Sequence, residues 1–328
     1  MKKIYTYLKA CAGFIARSKR AYGAPASCFI ETTNLCNLRC PFCVAGSGAL
    51  TRPKGFLKID EFEIILRNLP EGITDIYLWG QGEPFMTPEF LSMVRLASER
   101  GFTSIVSTNG HFLDHPKDII DSGLDTLIVS LDGVDPDTYE SYRIGGSFNK
   151  VIEGIRLLSE AASRGNSRFK IKLQCVVNNR NENDLYRYKA LGRSLGVQGI
   201  EFKTLQAASL PGGESSGVGI PNDPKLSRYH KKQRGENVIL EPDYNWMLRN
   251  RCLRLYYSFQ VDWKGNVLPC CFDKNSEYLL GNLLDEPFDT IWNGEKYRTF
   301  RAELNSNGRK LPMCRDCTEG LRRMNIRV

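Results

Sequence analysis

Cys36-Asn37-Leu38-Arg39-Cys40-Pro41-Phe42-Cys43 sets three thiols on one short loop, with three and then two residues between them. Thiolates are good ligands for iron, and a four-iron cluster ordinarily takes four of them. Three ligands leave one iron open, able to chelate a small molecule through an amine and a carboxylate. The loop follows an apolar, strand-like run, Ser27-Cys28-Phe29-Ile30-Glu31-Thr32. A structural zinc loop is the alternative reading, although such loops draw on paired CxxC or His ligands and no His lies nearby.

The chain has 328 residues, 41% hydrophobic and 25% charged, enough for one sizeable core and a smaller module. Eleven cysteines in a chain this long, without an evident secretory signal, do not read as a disulfide framework. A reducing, cytoplasmic setting is the expectation. The net charge of +8 is dispersed, compatible with an anionic substrate, an acidic electron donor or a membrane surface. Dispersed charge without an obvious RNA-binding module argues against nucleic acid. Only His111, His115 and His230 are present, so proton transfer by histidine is not expected to be central.

In residues 1–22, Ile4, Leu8, Cys11 and Ile15 recur at helical spacing among Lys2, Lys3, Lys9, Arg17, Lys19 and Arg20, predicting an amphipathic helix. It either packs on its own domain or lies in a membrane interface, a peripheral contact. Lys9 interrupts an already short apolar run, so it is neither a signal peptide nor a membrane span.

From residue 23 to 206, strands near 27–32, 74–79, 103–108, 125–130, 169–177 and 198–203 alternate with helices near 59–69, 88–100, 116–122, 148–164 and 182–195. Such alternation predicts an α/β fold of parallel strands with right-handed crossovers. Six units are too few for a closed eight-fold barrel, so a partial (β/α)6 TIM-like barrel is expected. Its reactive groups should gather at the C-terminal strand ends. Polar or Gly-rich clusters do fall there: Gly80-Gln81-Gly82-Glu83-Pro84, Ser107-Thr108-Asn109-Gly110 and Ser130-Leu131-Asp132-Gly133, with Tyr142-Arg143-Ile144-Gly145-Gly146 beyond. Singly each reads as a turn or a cap; their order after a three-thiol loop is the specific signal.

The thiol spacing, Phe42 before the last thiol, the preceding strand and these clusters resemble the radical S-adenosylmethionine (radical SAM) superfamily. Gln81 stands where the family's GGEP motif more often has Gly. The resemblance implies a four-iron cluster on Cys36, Cys40 and Cys43 and S-adenosylmethionine as cofactor. By it, Gln81, Gly82 and Glu83 hold the methionyl amine, Ser130 the ribose with Asp132 beside it, and Arg143 the methionyl carboxylate. Phe42, Asn109 and Leu205 complete the implied cofactor site, Leu205 toward adenine. No GxGxxG follows the first strand, so a dinucleotide loop is not expected.

Residues 207–249 lose the alternation, and Ala207–Gly217 reads as a loop within a linker. The basic run Lys231-Lys232-Gln233-Arg234 reads as a solvated face. In 250–328, the Asp262-Trp263-Lys264-Gly265-Asn266 turn between β-rich runs predicts a hairpin returning Cys270 toward Cys252. With Gly281-Asn282-Leu283, Ile291-Trp292 and Cys314-Arg315-Asp316-Cys317, this stretch resembles the SPASM extension of radical SAM enzymes. No Cys follows Cys317, so the resemblance is to the shortened twitch-type module and implies one auxiliary four-iron cluster on Cys252, Cys270, Cys314 and Cys317. Zinc would suit the same four thiols. Cys271 is spare: a ligand in place of Cys270, a buried thiol or a hydrogen-atom donor.

The activity implied is reductive cleavage of S-adenosylmethionine to a 5′-deoxyadenosyl radical that takes a hydrogen atom from a substrate C–H. A flavodoxin- or ferredoxin-like donor would supply the electron. An auxiliary cluster favours oxidation of the substrate radical over redox-neutral epimerisation. Many peptide-modifying relatives carry a leader-binding domain ahead of the barrel, and 22 residues precede the core here. The expected substrate is therefore a small molecule: a sugar, aminoglycoside or alcohol, or a glycolipid if the first helix binds lipid. A peptide-modifying maturase and a non-catalytic iron–sulfur carrier or sensor are the alternatives.

Overall fold

The computed structural model describes residues 2–164, 168–206, 219–234, 237–243, 250–315, 317 and 325–326. The loop expected over Ala207–Gly217 lies outside the described residues. In chain order the elements are α1 (Lys2–Ile15), β1 (Ser27–Ile30), α2 (Ile59–Asn68), β2 (Asp75–Tyr77), α3 (Phe90–Glu99), β3 (Thr103–Thr108), α4 (Pro116–Asp121), β4 (Thr126–Ser130), α5 (Pro136–Tyr142), α6 (Phe148–Arg164), β5 (Lys170–Val177), α7 (Leu185–Ser194) and β6 (Gly199–Thr204). They continue with β7 (Tyr229–Arg234), β8 (Asn237–Pro242), α8 (Arg254–Tyr257), β9 (Ser258–Val261), β10 (Asn266–Leu268), β11 (Gly281–Asn282), α9 (Phe288–Trp292), α10 (Glu295–Asn307), α11 (Pro312–Arg315) and β12 (Asn325–Ile326).

The chain divides into two units, residues 1–35, 50–106 and 246–320 in one, residues 36–49, 107–245 and 321–328 in the other. In the first, β1 pairs parallel with β2, and β2 with β3. Parallel β9 flanks β1 on its other side, Ser27 opposite Ser258 and Ile30 opposite Val261. Antiparallel β10 and β11 follow. The hairpin expected around Gly265 is thus β9–β10, with Gly265 at φ +80°, and it extends the sheet begun by β1. Cys28 and Ile30 of β1, Ile76 of β2, Phe62 and Ile65 of α2 and Met93 of α3 are fully buried, as alternating strands and a helical apolar stripe require.

In the second unit β4, β5 and β6 run parallel, and β12 adds antiparallel to β6. Leu127, Val129, Ile171 and Leu173 are buried with Val151, Ile155 and Leu158, the i, i+4, i+7 stripe of α6. Two elements depart from the expectation. Pro136–Tyr142 forms α5, started by Asp135, whose carboxylate accepts from Thr138 N. Within the stretch read as linker, Tyr229–Arg234 and Asn237–Pro242 pair antiparallel as β7 and β8, and the basic run Lys231–Arg234 lies on β7. Tyr229 is buried there, which anchors the pair to the apolar cluster described below.

Candidate functional site

The second unit gathers the three-thiol loop, Asn109, Ser130, Asp132, Arg143 and Leu205. The loop folds tightly: Cys43 N donates to Cys40 O at 3.2 Å, Leu38 N approaches Cys36 Sγ at 3.4 Å, and Gly46 passes so near that a Cβ there would lie 2.7 Å from Cys40 N. Arg39 N donates to Ile144 O, docking the loop on the turn after α5. That turn carries Arg143 at the α5 C-cap and Gly145 at φ +87°.

Arg143 Nε donates to the Asp132 carboxylate, and its Nη1 lies 3.9 Å from Cys40 Sγ. The other Asp132 oxygen accepts from Val176 N at 2.6 Å, and Asn181 donates to the Asp132 carbonyl. Asp132 is fully buried and both its oxygens are taken up by the chain, so it acts by holding Arg143. Burial works against the Arg143 charge, but Asp132 and Cys40 outweigh it, leaving the pKa above the ordinary value. Burial pushes the Cys40 thiol up to about 11 against the pull of Arg143. Thiolate is therefore the state a metal would induce here, with a cation already beside it.

Asn109 repeats the device on Cys36. Its Nδ2 donates to Asn37 Oδ1 at 2.8 Å and stands 3.9 Å from Cys36 Sγ. Its Oδ1 accepts from His111 N and lies 3.0 Å from His111 Nδ1, while His111 Nε2 accepts from Ser147 N at 2.8 Å. An Nε2 that accepts requires the proton on Nδ1, which fixes a neutral ring. Burial lowers the His111 pKa accordingly. His111 is a residue that motif reading missed; it orients Asn109 through a contact two positions away.

Phe42 stacks near Tyr142, ring centroids 6.2 Å apart and 14° between planes, and packs with Leu205, Ile220 and Tyr229. Phe42 and Leu205, both expected at the cofactor site, therefore share one apolar cluster. A Cβ on Gly219 (φ +89°) would lie 2.4 Å from the Phe42 ring. Ser130 closes β4, half-buried.

Gln81, Gly82 and Glu83 belong to the first unit. Gly82 has φ +80°, and a Cβ on it would meet Leu35 O at 2.5 Å; the glycine thus serves an approach to the backbone just before the thiol loop. Glu83 N donates to Leu35 O at 2.7 Å, and its Oε1 accepts from Phe85 N. Glu31, fully buried at the end of β1, accepts from Gln81 N at 2.8 Å and from Arg52 Nη2 at 2.6 Å. Burial raises the Glu31 pKa and Arg52 opposes it. Motif reading missed Glu31 as well, although it is the first acidic residue of the chain.

A second centre lies within the first unit. One cavity is lined by Cys252, Cys270, Cys314 and Cys317 with Leu255 and Phe300 among others. Cys271 is outside that lining, so geometry favours Cys270. Cys314 and Cys317 are held in a turn, Cys317 N to Cys314 O at 3.3 Å. Burial raises the Cys270 pKa, and Cys271, Cys317 and Cys252 add to it. On α10, whose Phe300 and Leu304 line the cavity, Arg301 is fully buried between the rings of Tyr297 (4.2 Å), Trp292 (4.4 Å) and Tyr256 (5.7 Å). It donates to Leu255 O, Trp292 O and Asn293 Oδ1. Burial lowers its pKa to about 10, so it stays charged at neutral pH.

Both thiol sets fit iron–sulfur clusters: soft donors on tight loops, with a cation or N–H groups directed at them. Among the described residues no three His, Cys, Asp or Glu side chains converge closely enough for a single ion. A cluster giving each thiolate its own iron does not require that convergence.

A family model described as the radical SAM superfamily matches residues 30–185, and one described as an iron–sulfur cluster-binding domain, SPASM, matches residues 252–318. The chain is 24% identical over 319 residues to the AdoMet-dependent heme synthase of Methanosarcina barkeri, covering 87% of each. Its fold is similar to BtrN in complex with AdoMet and 2-DOIA (TM-score 0.54, 18% identity, 90% of this chain and 94% of BtrN). It is also similar to Streptococcus suis SuiB bound to S-adenosylmethionine (TM-score 0.64, 13% identity, 85% and 68%). The mostly parallel α/β architecture is thus the partial TIM-like barrel expected.

Proposed function

This chain belongs to the radical SAM superfamily and carries a SPASM domain, and from that premise we propose that it oxidises a small molecule at a C–H bond. The observation that carries the reading is the pair of N–H groups, from Asn109 and Arg143, set against the sulfurs of Cys36 and Cys40 on the three-thiol loop. When bound, the cluster and S-adenosylmethionine supply a 5′-deoxyadenosyl radical that takes a hydrogen atom from the substrate.

The chain's own residues bind, orient and shield. Cys36, Cys40 and Cys43 hold the cluster; Asn109 and Arg143 offset its negative charge. Arg143, locked by Asp132, also presents a guanidinium suited to the methionyl carboxylate. Phe42 and Leu205 offer the apolar surface for adenine, Ser130 a hydroxyl for ribose, and Gln81, Gly82 and Glu83 the polar turn for the amine. Cys252, Cys270, Cys314 and Cys317 would hold one auxiliary four-iron cluster, which would supply an acceptor for the second electron of a substrate oxidation. The electron spent on cleaving S-adenosylmethionine would come from a flavodoxin- or ferredoxin-like protein; the first electron to leave the substrate would go with the abstracted hydrogen atom. The small-molecule assignment is supported by the names of the heme synthase and of BtrN's ligand. The SuiB likeness keeps a peptide substrate as the second reading.

Anaerobic reconstitution with iron and sulfide, then dithionite and S-adenosylmethionine, tests the catalytic claim. 5′-Deoxyadenosine is expected; its absence from a fully loaded chain would leave only an electron carrier.

A further inference from the structure

Helix α1 is packed by its small residues and leaves its apolar stripe outside. Ala10 is buried, a Cβ on Gly13 would stand 2.8 Å from the Tyr256 ring, and Tyr7 packs beside Tyr257 at 5.6 Å. Tyr256 Oη donates to Ser18 O at 2.7 Å, fastening the segment after the helix to α8. Meanwhile Ile4, Leu8 and Ile15 are 68%, 62% and 68% exposed, and half-buried Cys11 completes the i, i+4, i+7, i+11 row. Among the described residues ten large hydrophobic side chains are exposed, and Ile4, Tyr5, Tyr7, Leu8, Ile15 and Tyr22 are six of them. Scattered exposed apolar residues are ordinary, but a concentrated stripe marks an interaction surface.

The charge around the stripe decides what covers it. Lys2, Lys3, Lys9, Arg17, Lys19 and Arg20 belong to the same segment, and no Asp or Glu occurs before Glu31. Two copies of the chain meeting on this face would bring basic segment against basic segment. A nucleic acid would meet the cations but leave Ile4, Leu8 and Ile15 in water. A bilayer bearing anionic lipid meets both, apolar side chains entering the headgroup boundary and basic side chains facing phosphates. We propose that α1 is a peripheral membrane anchor that docks this protein on anionic lipid surfaces. The helix is already held by α8, so docking orders nothing new. No helix among the described residues is long and apolar enough to cross a membrane, which leaves lying on the surface as the mode of contact.

The test is flotation of the intact reconstituted chain with vesicles of phosphatidylcholine plus phosphatidylglycerol, and of phosphatidylcholine alone. Binding is expected to the anionic vesicles and to weaken as salt is added, because the electrostatic part is screened. A chain with Ile4→Asp, Leu8→Asp and Ile15→Asp should lose binding by about tenfold or more, keeping its iron content and melting temperature. Ile4→Ser, Leu8→Ser and Ile15→Ser should weaken binding in the same direction with less demand on the fold. Arg17→Gln, Lys19→Gln and Arg20→Gln should reduce the preference for anionic over neutral vesicles. The proposal is overturned if the intact chain stays with the soluble fraction. It is equally overturned if the Asp and Ser variants float as well as the parent, or if the chain is a dimer that these substitutions separate without vesicle binding.

Discussion

The guanidinium of Arg143 joins Asp132 to Cys40: Nε donates to the carboxylate, and Nη1 stands 3.9 Å from the sulfur. One cation thereby serves a buried structural carboxylate and a candidate cluster ligand together. Arg143→Gln leaves the Asp132 carboxylate buried without its cation, and loss of one member of a buried pair costs roughly 3 kcal/mol. Arg143→Lys keeps the charge but not the fork, and should fall between. Denaturant unfolding of the three chains checks the order. S-Adenosylmethionine binding by the reconstituted protein should weaken in the same order, about tenfold or more for Arg143→Gln by the loss of a charged hydrogen bond.

His111 makes stability depend on pH. Its pKa is lowered in the folded chain, so between that value and the unfolded value near 6.5 the unfolded state binds more protons. Stability from this group is complete above about pH 6.5 and declines as pH falls through that window. Melting temperatures of the parent should drop more steeply below about pH 6.5 than those of His111→Gln, whose side chain does not titrate. Equal slopes would contradict the neutral ring inferred from the Ser147 and Asn109 contacts.

The four cysteines lining one cavity predict a countable loss. Wild type should hold about eight irons and a Cys314→Ala, Cys317→Ala double variant about four, from two four-iron clusters. An unchanged iron and sulfide count would remove the auxiliary cluster. Cys271→Ala should leave the count as it is, since Cys271 does not line the cavity.

Arg301 is a positive charge without a carboxylate among its hydrogen-bond acceptors here, on the helix that walls the same cavity. A buried cation near a cluster favours its reduced, more negative form. Arg301→Gln should therefore shift the auxiliary potential downward in a redox titration followed by electron paramagnetic resonance. Arg301→Lys should shift it less, while the potential of the three-thiol cluster stays put.

Much of this was legible in the residues because parallel α/β units announce themselves by alternation. β3 and α6 begin and end where periodicity puts them, at Thr103–Thr108 and Phe148–Arg164. The pairing of β7 with β8 was not legible: Lys231, Lys232, Gln233 and Arg234 offer no apolar period of two, and Tyr229 and Leu240 fasten it inward through tertiary contacts. Motif reading put Asp132 beside Ser130 in the cofactor site; it could not give the partners of its two oxygens, Arg143 and Val176 N. Gly82, expected with Gln81 and Glu83 to hold the methionyl amine, also admits the Leu35 carbonyl to within 2.5 Å of where a Cβ would stand, a tertiary approach that motif reading does not give. His111, Glu31 and Arg301 carry no motif at all; their importance comes from tertiary partners that no local spacing encodes.

The central claim is that the loop of Cys36, Cys40 and Cys43 leaves one iron corner for S-adenosylmethionine. Electron–nuclear double resonance on the reduced, reconstituted wild-type chain, with the methionyl amine labelled with nitrogen-15, reads that corner directly. The account predicts a hyperfine coupling between the labelled nitrogen and the cluster. A cluster that shows no such coupling at saturating S-adenosylmethionine, or a loop that holds zinc in place of iron, would contradict it.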